Sequence, residues 1–175
     1  MNRRIVLGLL TLQAVAVLAY GYVESMRQTG GDEPPRFERV DGPSLPPASL
    51  LLSDGSELTA KDLLGKRLLL HFWSTSCPPC REELPKILGR ADDPGGPRVL
   101  AVAVDEDWAT VREFLEGSIP PSVVRDPSGA FVRRFEVGPL PDTYLIDATG
   151  TAKLRFGGAR DWSTRAATDF LASPP

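Results

Sequence analysis

Apolar positions along this chain fall first in one long block and then in short runs separated by polar turns. Residues 5–23 carry no charge, and Thr11 and Gln13 are their only strongly polar side chains. That length approaches the ~20 apolar residues a helix needs to cross a bilayer. Leu50, Leu51 and Leu52, the turn Ser53-Asp54-Gly55-Ser56, then Glu57 and Leu58 predict an N-terminal hairpin, since Gly55 tolerates the positive φ of a tight turn. Residues 68–73, apolar but for His71, predict a central strand covered on both faces. In residues 82–88, Leu84, Ile87 and Leu88 share a helical face, and Pro85 removes one backbone donor and predicts a kink. Residues 99–104 read as a second buried strand, 110–115 as a helix begun after Asp107, and Val123-Val124 as a short extended piece. Residues 130–135 can form a short helix, and residues 144–147 and 152–156 flank the turn Ala148-Thr149-Gly150 as an antiparallel hairpin. Ser163 is the expected cap of a last helix reaching residue 172, with Ala166, Ala167, Phe170 and Leu171 apolar and Pro174 and Pro175 beyond it. The order βαβ followed by ββα predicts an α/β sandwich with a mixed sheet.

The N-terminal block sets the organisation. Arg3 and Arg4 precede it, and basic residues on a short flank stay cytoplasmic, which sends the rest of the chain to the opposite side. Residues 1–24 are therefore expected to be a transmembrane anchor, residues 25–36, with Gly30, Gly31, Pro34 and Pro35, a flexible linker, and residues 37–173 the folded domain. The alternative is a cleaved signal peptide, for which Val17-Leu18-Ala19 offers small residues near a cleavage point. The apolar run exceeds the ~7–15 residues of a signal core, which favours the anchor.

Composition narrows the function. A net charge of −3 leaves no basic stripe for a phosphate backbone, so no nucleic-acid partner is expected. With two cysteines and one histidine in the chain, a framework of structural disulfides is excluded and a zinc site lacks ligands. No cofactor is expected.

The two cysteines stand as Cys77-Pro78-Pro79-Cys80, between the predicted strand and helix. A thiolate is the attacking species in disulfide exchange. Backbone donors of a helix's first turn and the positive end of its dipole favour an anion at Cys77. Cys80, one turn along, can close the ring. A purely stabilising disulfide is a poor reading, since so small a loop constrains the unfolded chain very little.

The run Leu68-Leu69-Leu70-His71-Phe72-Trp73-Ser74-Thr75-Ser76-Cys77-Pro78-Pro79-Cys80-Arg81-Glu82-Glu83-Leu84-Pro85, with Gly65-Lys66 before it and residues 138–147 near the end, resembles the membrane-anchored TlpA-like thioredoxins of bacteria, with ResA-like and CcmG-like proteins as relatives. The likeness spans roughly residues 45–172. It implies a thioredoxin-like three-layer sandwich, with the hairpin as an N-terminal extension of its mixed central sheet. It implies that Pro141 is cis beside the cysteines and that Leu140 meets an extended substrate segment, with Pro78 and Pro79 also at the substrate. It implies further that Glu83 lies near the pair and tunes its proton affinity, because an uncompensated carboxylate raises a thiol pKa.

Two positions depart from the pattern. His71 stands where cytosolic thioredoxins carry a buried aspartate that exchanges protons with the resolving cysteine, a role its ordinary pKa of ~6.5 would suit. Ser76 stands where the family usually has tryptophan, whereas Trp73 matches its strand tryptophan. The resemblance implies a monomeric reductase of protein disulfides, apocytochrome c among the targets, on the periplasmic side of a bacterial membrane and supplied by a membrane-embedded thiol-electron donor. Two other activities use a cysteine on related folds. A copper chaperone spaces its pair by three residues and adds a distant histidine, and a peroxiredoxin-type peroxidase needs a Thr-x-x-Cys nucleophile with an arginine nearby; this chain offers neither arrangement.

Overall fold

The structure, a computed structural model, describes residues 33–105 and 107–174. The expected anchor and most of the expected linker lie outside the described residues. Among the described residues no helix is long and apolar enough to cross a membrane. The compact unit begins at Pro34, and Pro35 is already buried.

The elements in chain order are β1 (Glu38–Arg39), β2 (Ser49–Leu51), β3 (Glu57–Thr59), a 3₁₀ turn (Ala60–Leu63), β4 (Leu68–Trp73), α1 (Pro78–Leu88), β5 (Arg98–Ala103), α2 (Trp108–Phe114), β6 (Val123–Arg125), α3 (Ala130–Arg134), β7 (Asp142–Ile146), β8 (Ala152–Gly157) and α4 (Arg165–Ala172). They form one mixed sheet in the order β1-β8-β7-β4-β5-β6-β2-β3. The strands β4, β5 and β6 run parallel, while β7 is antiparallel to β4 and β8 to β7.

Every residue of β4 is buried, as its apolar run requires of a strand with a layer on each side. Its side chains alternate between two cores. Leu69 and Trp73 pack with Cys80, Leu84 and Ile87 of α1, Val111 of α2, and Ala167 and Leu171 of α4. Leu68, Leu70 and Phe72 pack on the other side with Leu50 of the hairpin and Phe131 of α3. The hairpin β2–β3 joins the sheet through a single residue pair, Leu51 with Arg125.

Four local details add to or correct these expectations. α1 starts at Pro78 with Cys77 as its N-cap, the helix start on which the thiolate argument relies, and four residues before the apolar periodicity, because proline's fixed φ and missing N–H suit the first helical positions. It continues through Pro85 as one helix. The last helix is capped by Thr164, whose Oγ1 accepts the Ala167 N–H, while the Ser163 hydroxyl is taken by Asp161. β1 was not expected; its two charged, exposed residues pair with Arg155 and Leu154 on β8.

Candidate active site

β4 and β7 are antiparallel neighbours with Phe72 opposite Asp142, so the segment leaving β4 and the segment entering β7 emerge at the same end of the sheet. The first carries Cys77 and Cys80. The second carries Leu140 and Pro141.

Cys77 is the N-cap of α1 and is disulfide-bonded to Cys80, with 5.3 Å between their Cα atoms. The two sulfurs are not equivalent: Cys77 is half-buried, whereas Cys80 is 0% exposed. A partner can therefore reach the first and not the second. The expectation that the whole first helical turn offers donors to Cys77 needs correction, because Pro78 and Pro79 fill its first two positions and have no N–H. The Cys80 N–H, 3.3 Å from Cys77 Sγ, is the donor that remains for the sulfur. Pro78 and Pro79 are themselves exposed beside it.

The segment ahead of Cys77 is held by an aspartate that sequence reading did not single out. Asp105, just beyond β5, accepts the Thr75 N–H at 3.1 Å, the Thr75 hydroxyl at 2.6 Å and the Ser74 hydroxyl at 3.1 Å. The Cys77 N–H closes the turn onto the Ser74 carbonyl at 3.2 Å. Ser76, in place of the family's tryptophan, is exposed and its hydroxyl meets that of Ser74. Asp105→Ala removes three acceptor contacts from partly buried groups and is expected to cost about 1–3 kcal/mol, read as a lower urea midpoint at unchanged m-value.

Glu83 is 2% exposed. Its position three residues after Cys80 places both on one face of α1, and Trp162 Nε1, in the same core as Cys80, donates to Glu83 Oε1. Burial raises this carboxyl to about 7, against the Trp162 hydrogen bond and the charges of Arg160 and Lys86, which pull it down. Oε2 has no hydrogen-bond partner. Trp162 was not expected in the site; its only mark in the sequence is an indole isolated among polar residues.

His71 is fully buried and, by alternation along β4, faces the same side as Leu69 and Trp73. Its Nδ1 lies 2.8 Å from Thr143 Oγ1 on β7, and Nε2 has no partner. The expectation that it titrates near neutrality is corrected: burial pushes it down to about 3, so the imidazole is neutral through the physiological range.

The Leu140–Pro141 peptide bond is cis. Pro141 is buried, and its carbonyl accepts the Gly158 N–H at 2.9 Å. Leu140 is half-buried and packs, like Cys77, against the core that holds Cys80. Among the described residues, no group of three or more His, Cys, Asp or Glu side chains is arranged to hold a metal ion.

Comparison with known proteins agrees with this geometry. Over 66 residues the chain is 35% identical to thiol-disulfide oxidoreductase ResA of Halalkalibacterium halodurans, covering 36% of this chain and 37% of that protein. It is 28% identical to ResA of Bacillus cereus over 65% of this chain and 61% of the relative. The chain thus spans less than two thirds of the length of these relatives. A solved structure from Chlorobium tepidum, a thiol:disulfide interchange protein of the thioredoxin family, superposes with a TM-score of 0.56 at 26% identity, over 77% of this chain and 97% of that one. The fold is thioredoxin-like, as the sequence resemblance implied. The AhpC/TSA family model matches residues 42–155, well over half of the chain, and the chain belongs to that family.

Proposed function

We propose that this chain is an extracytoplasmic thiol–disulfide oxidoreductase that reduces disulfides of specific protein partners, apocytochrome c among the candidates. The observation that carries the reading is the asymmetric cysteine pair: an accessible sulfur capping α1, bonded to a fully buried one.

In the reduced protein, the Cys77 thiolate attacks one sulfur of a partner disulfide and expels the other as a thiolate. A bond now joins Cys77 to the partner. Cys80 loses its proton and attacks Cys77 Sγ, the mixed disulfide breaks, and the second partner thiolate departs. Two electrons have moved to the partner, and the Cys77–Cys80 disulfide is the oxidised product. A dithiol donor in the membrane restores the reduced form.

Glu83 is the group best suited to take the Cys80 proton, since its carboxyl near 7 is poised for transfer at neutral pH. His71, neutral and bonded to Thr143, fits a packing role beneath the pair. Leu140 and the cis Pro141 receive an extended stretch of the partner, with Pro78 and Pro79 beside it.

Trapping tests the proposal. Full-length Cys80→Ser in a bacterial host should accumulate mixed disulfides between Cys77 and extracytoplasmic proteins, released by dithiothreitol and resolved by mass spectrometry. Recovery of no such adducts, or of cytoplasmic proteins alone, contradicts it.

A further inference from the structure

Asp142 follows the cis proline directly and is 0% exposed. A carboxylate taken out of water costs several kcal/mol unless it is paired and hydrogen-bonded, and apolar side chains would serve stability as well. What a paired charge adds is a fixed geometry. Arg155, projecting from β8, donates Nε to Asp142 Oδ1 at 3.0 Å and Nη2 to Oδ2 at 2.9 Å, a two-point fork that holds the carboxylate in one orientation.

The free side of the carboxylate reaches back across the loop. The Gly138 N–H donates to Asp142 Oδ2 at 3.2 Å, so one side chain ties the start of the segment 138–141 to the residue that ends it. The Tyr144 hydroxyl also lies 3.3 Å from Oδ2, but its single proton goes to the Phe135 carbonyl at 2.8 Å. On the far side the Gly158 N–H holds the Pro141 carbonyl. Backbone pairing of Asp142 with Phe72 completes the frame. Leu140 is thus carried on a short loop closed at both ends by the same aspartate.

We infer that Asp142 and Arg155 are positioning residues for extended polypeptide disulfide substrates: their ion pair sets the line of the Leu140 backbone along which such a segment binds, and it has no part in the sulfur chemistry. The inference rests on the reading that Leu140 and Pro141 receive the partner. A small disulfide, which needs only Cys77, is indifferent to the clamp.

The test compares two substrates on the full-length protein in detergent, with dithiothreitol as reductant: a peptide of about fifteen residues carrying an internal disulfide, and hydroxyethyl disulfide. Asp142→Asn and Arg155→Gln should each raise the KM for the peptide roughly tenfold, equivalent to about 1.4 kcal/mol, with kcat and the hydroxyethyl disulfide rate within about twofold of the parent. Loss of both activities in equal proportion, or an unchanged peptide KM, overturns the inference. Should either single variant fail to fold, the double variant Asp142→Asn/Arg155→Gln decides, because it removes the clamp and leaves no unpaired charge at the buried position. A parent protein that turns over hydroxyethyl disulfide but not the peptide removes the extended-substrate reading itself, whatever the variants do.

Discussion

Cys77→Ser is expected to abolish disulfide exchange, with a fall on the order of a thousandfold or more toward the uncatalysed rate, because a serine hydroxyl is not ionised near neutrality and the chain's second thiol, Cys80, is buried. Cys80→Ser should behave differently. Cys77 remains half-exposed and can still attack, so the variant completes the first step once per molecule and then stops as a mixed disulfide. Steady-state turnover with a protein disulfide and a rapid-quench measurement of the first attack distinguish the two. The prediction fails if the serine variants are equally inert in the first step, since burial of Cys80 and exposure of Cys77 would then not define the order of attack.

This asymmetry was only partly legible in the sequence. The β4 run and the two-residue cysteine spacing placed the pair between a strand and a helix, and the resemblance supplied the cis proline. Which sulfur is covered depends on how α1, through Leu84, lies on Trp73, and no local pattern states that. The start of α1 at Cys77 followed from the cysteine chemistry, whereas the apolar periodicity by itself begins only at residue 82, after the two prolines that open the helix. Glu83 shows the limit most clearly. Periodicity places Leu84 and Ile87 inward, but whether residue 83 is wet or dry is decided by Trp162, 79 positions along the chain. Asp105 and Asp142 escaped notice for the same reason. An aspartate at a strand end is ordinary in sequence, and only the distant donors Thr75 and Arg155 give these two their roles.

Two buried titratable groups lie on the side of the sheet that carries the cysteine pair, and they should drive stability in opposite directions with pH. Glu83 is raised to about 7 from 4.5, so between those values the folded protein holds a proton that the unfolded chain has released. Its contribution is complete below about 4.5 and is lost as pH rises through 7, a total of about 3 kcal/mol. His71 is lowered to about 3 from 6.5, so the unfolded chain binds the extra proton instead. Stability is then complete above about 6.5 and falls as pH drops toward 3, by about 5 kcal/mol. From 4.5 to 6.5 the two slopes nearly cancel, which hides both groups in the parent protein. Single variants should uncover them. In the oxidised protein, where the cysteines do not titrate, Glu83→Gln keeps an acceptor for Trp162 and removes one slope, while His71→Asn keeps a polar neighbour for Thr143 and removes the other. Surface aspartates whose carboxyls lie below the usual range, such as Asp62 and Asp161, affect parent and variants alike and drop out of the difference. Urea unfolding at half-unit steps from pH 3.5 to 8 should give parent-minus-variant curves that descend with pH for Glu83→Gln, against the pull of Arg160 and Lys86 on that carboxyl, and climb for His71→Asn. A flat curve for Glu83→Gln means that the carboxyl ionises as a solvated one does, and it could not then accept the Cys80 proton at neutral pH.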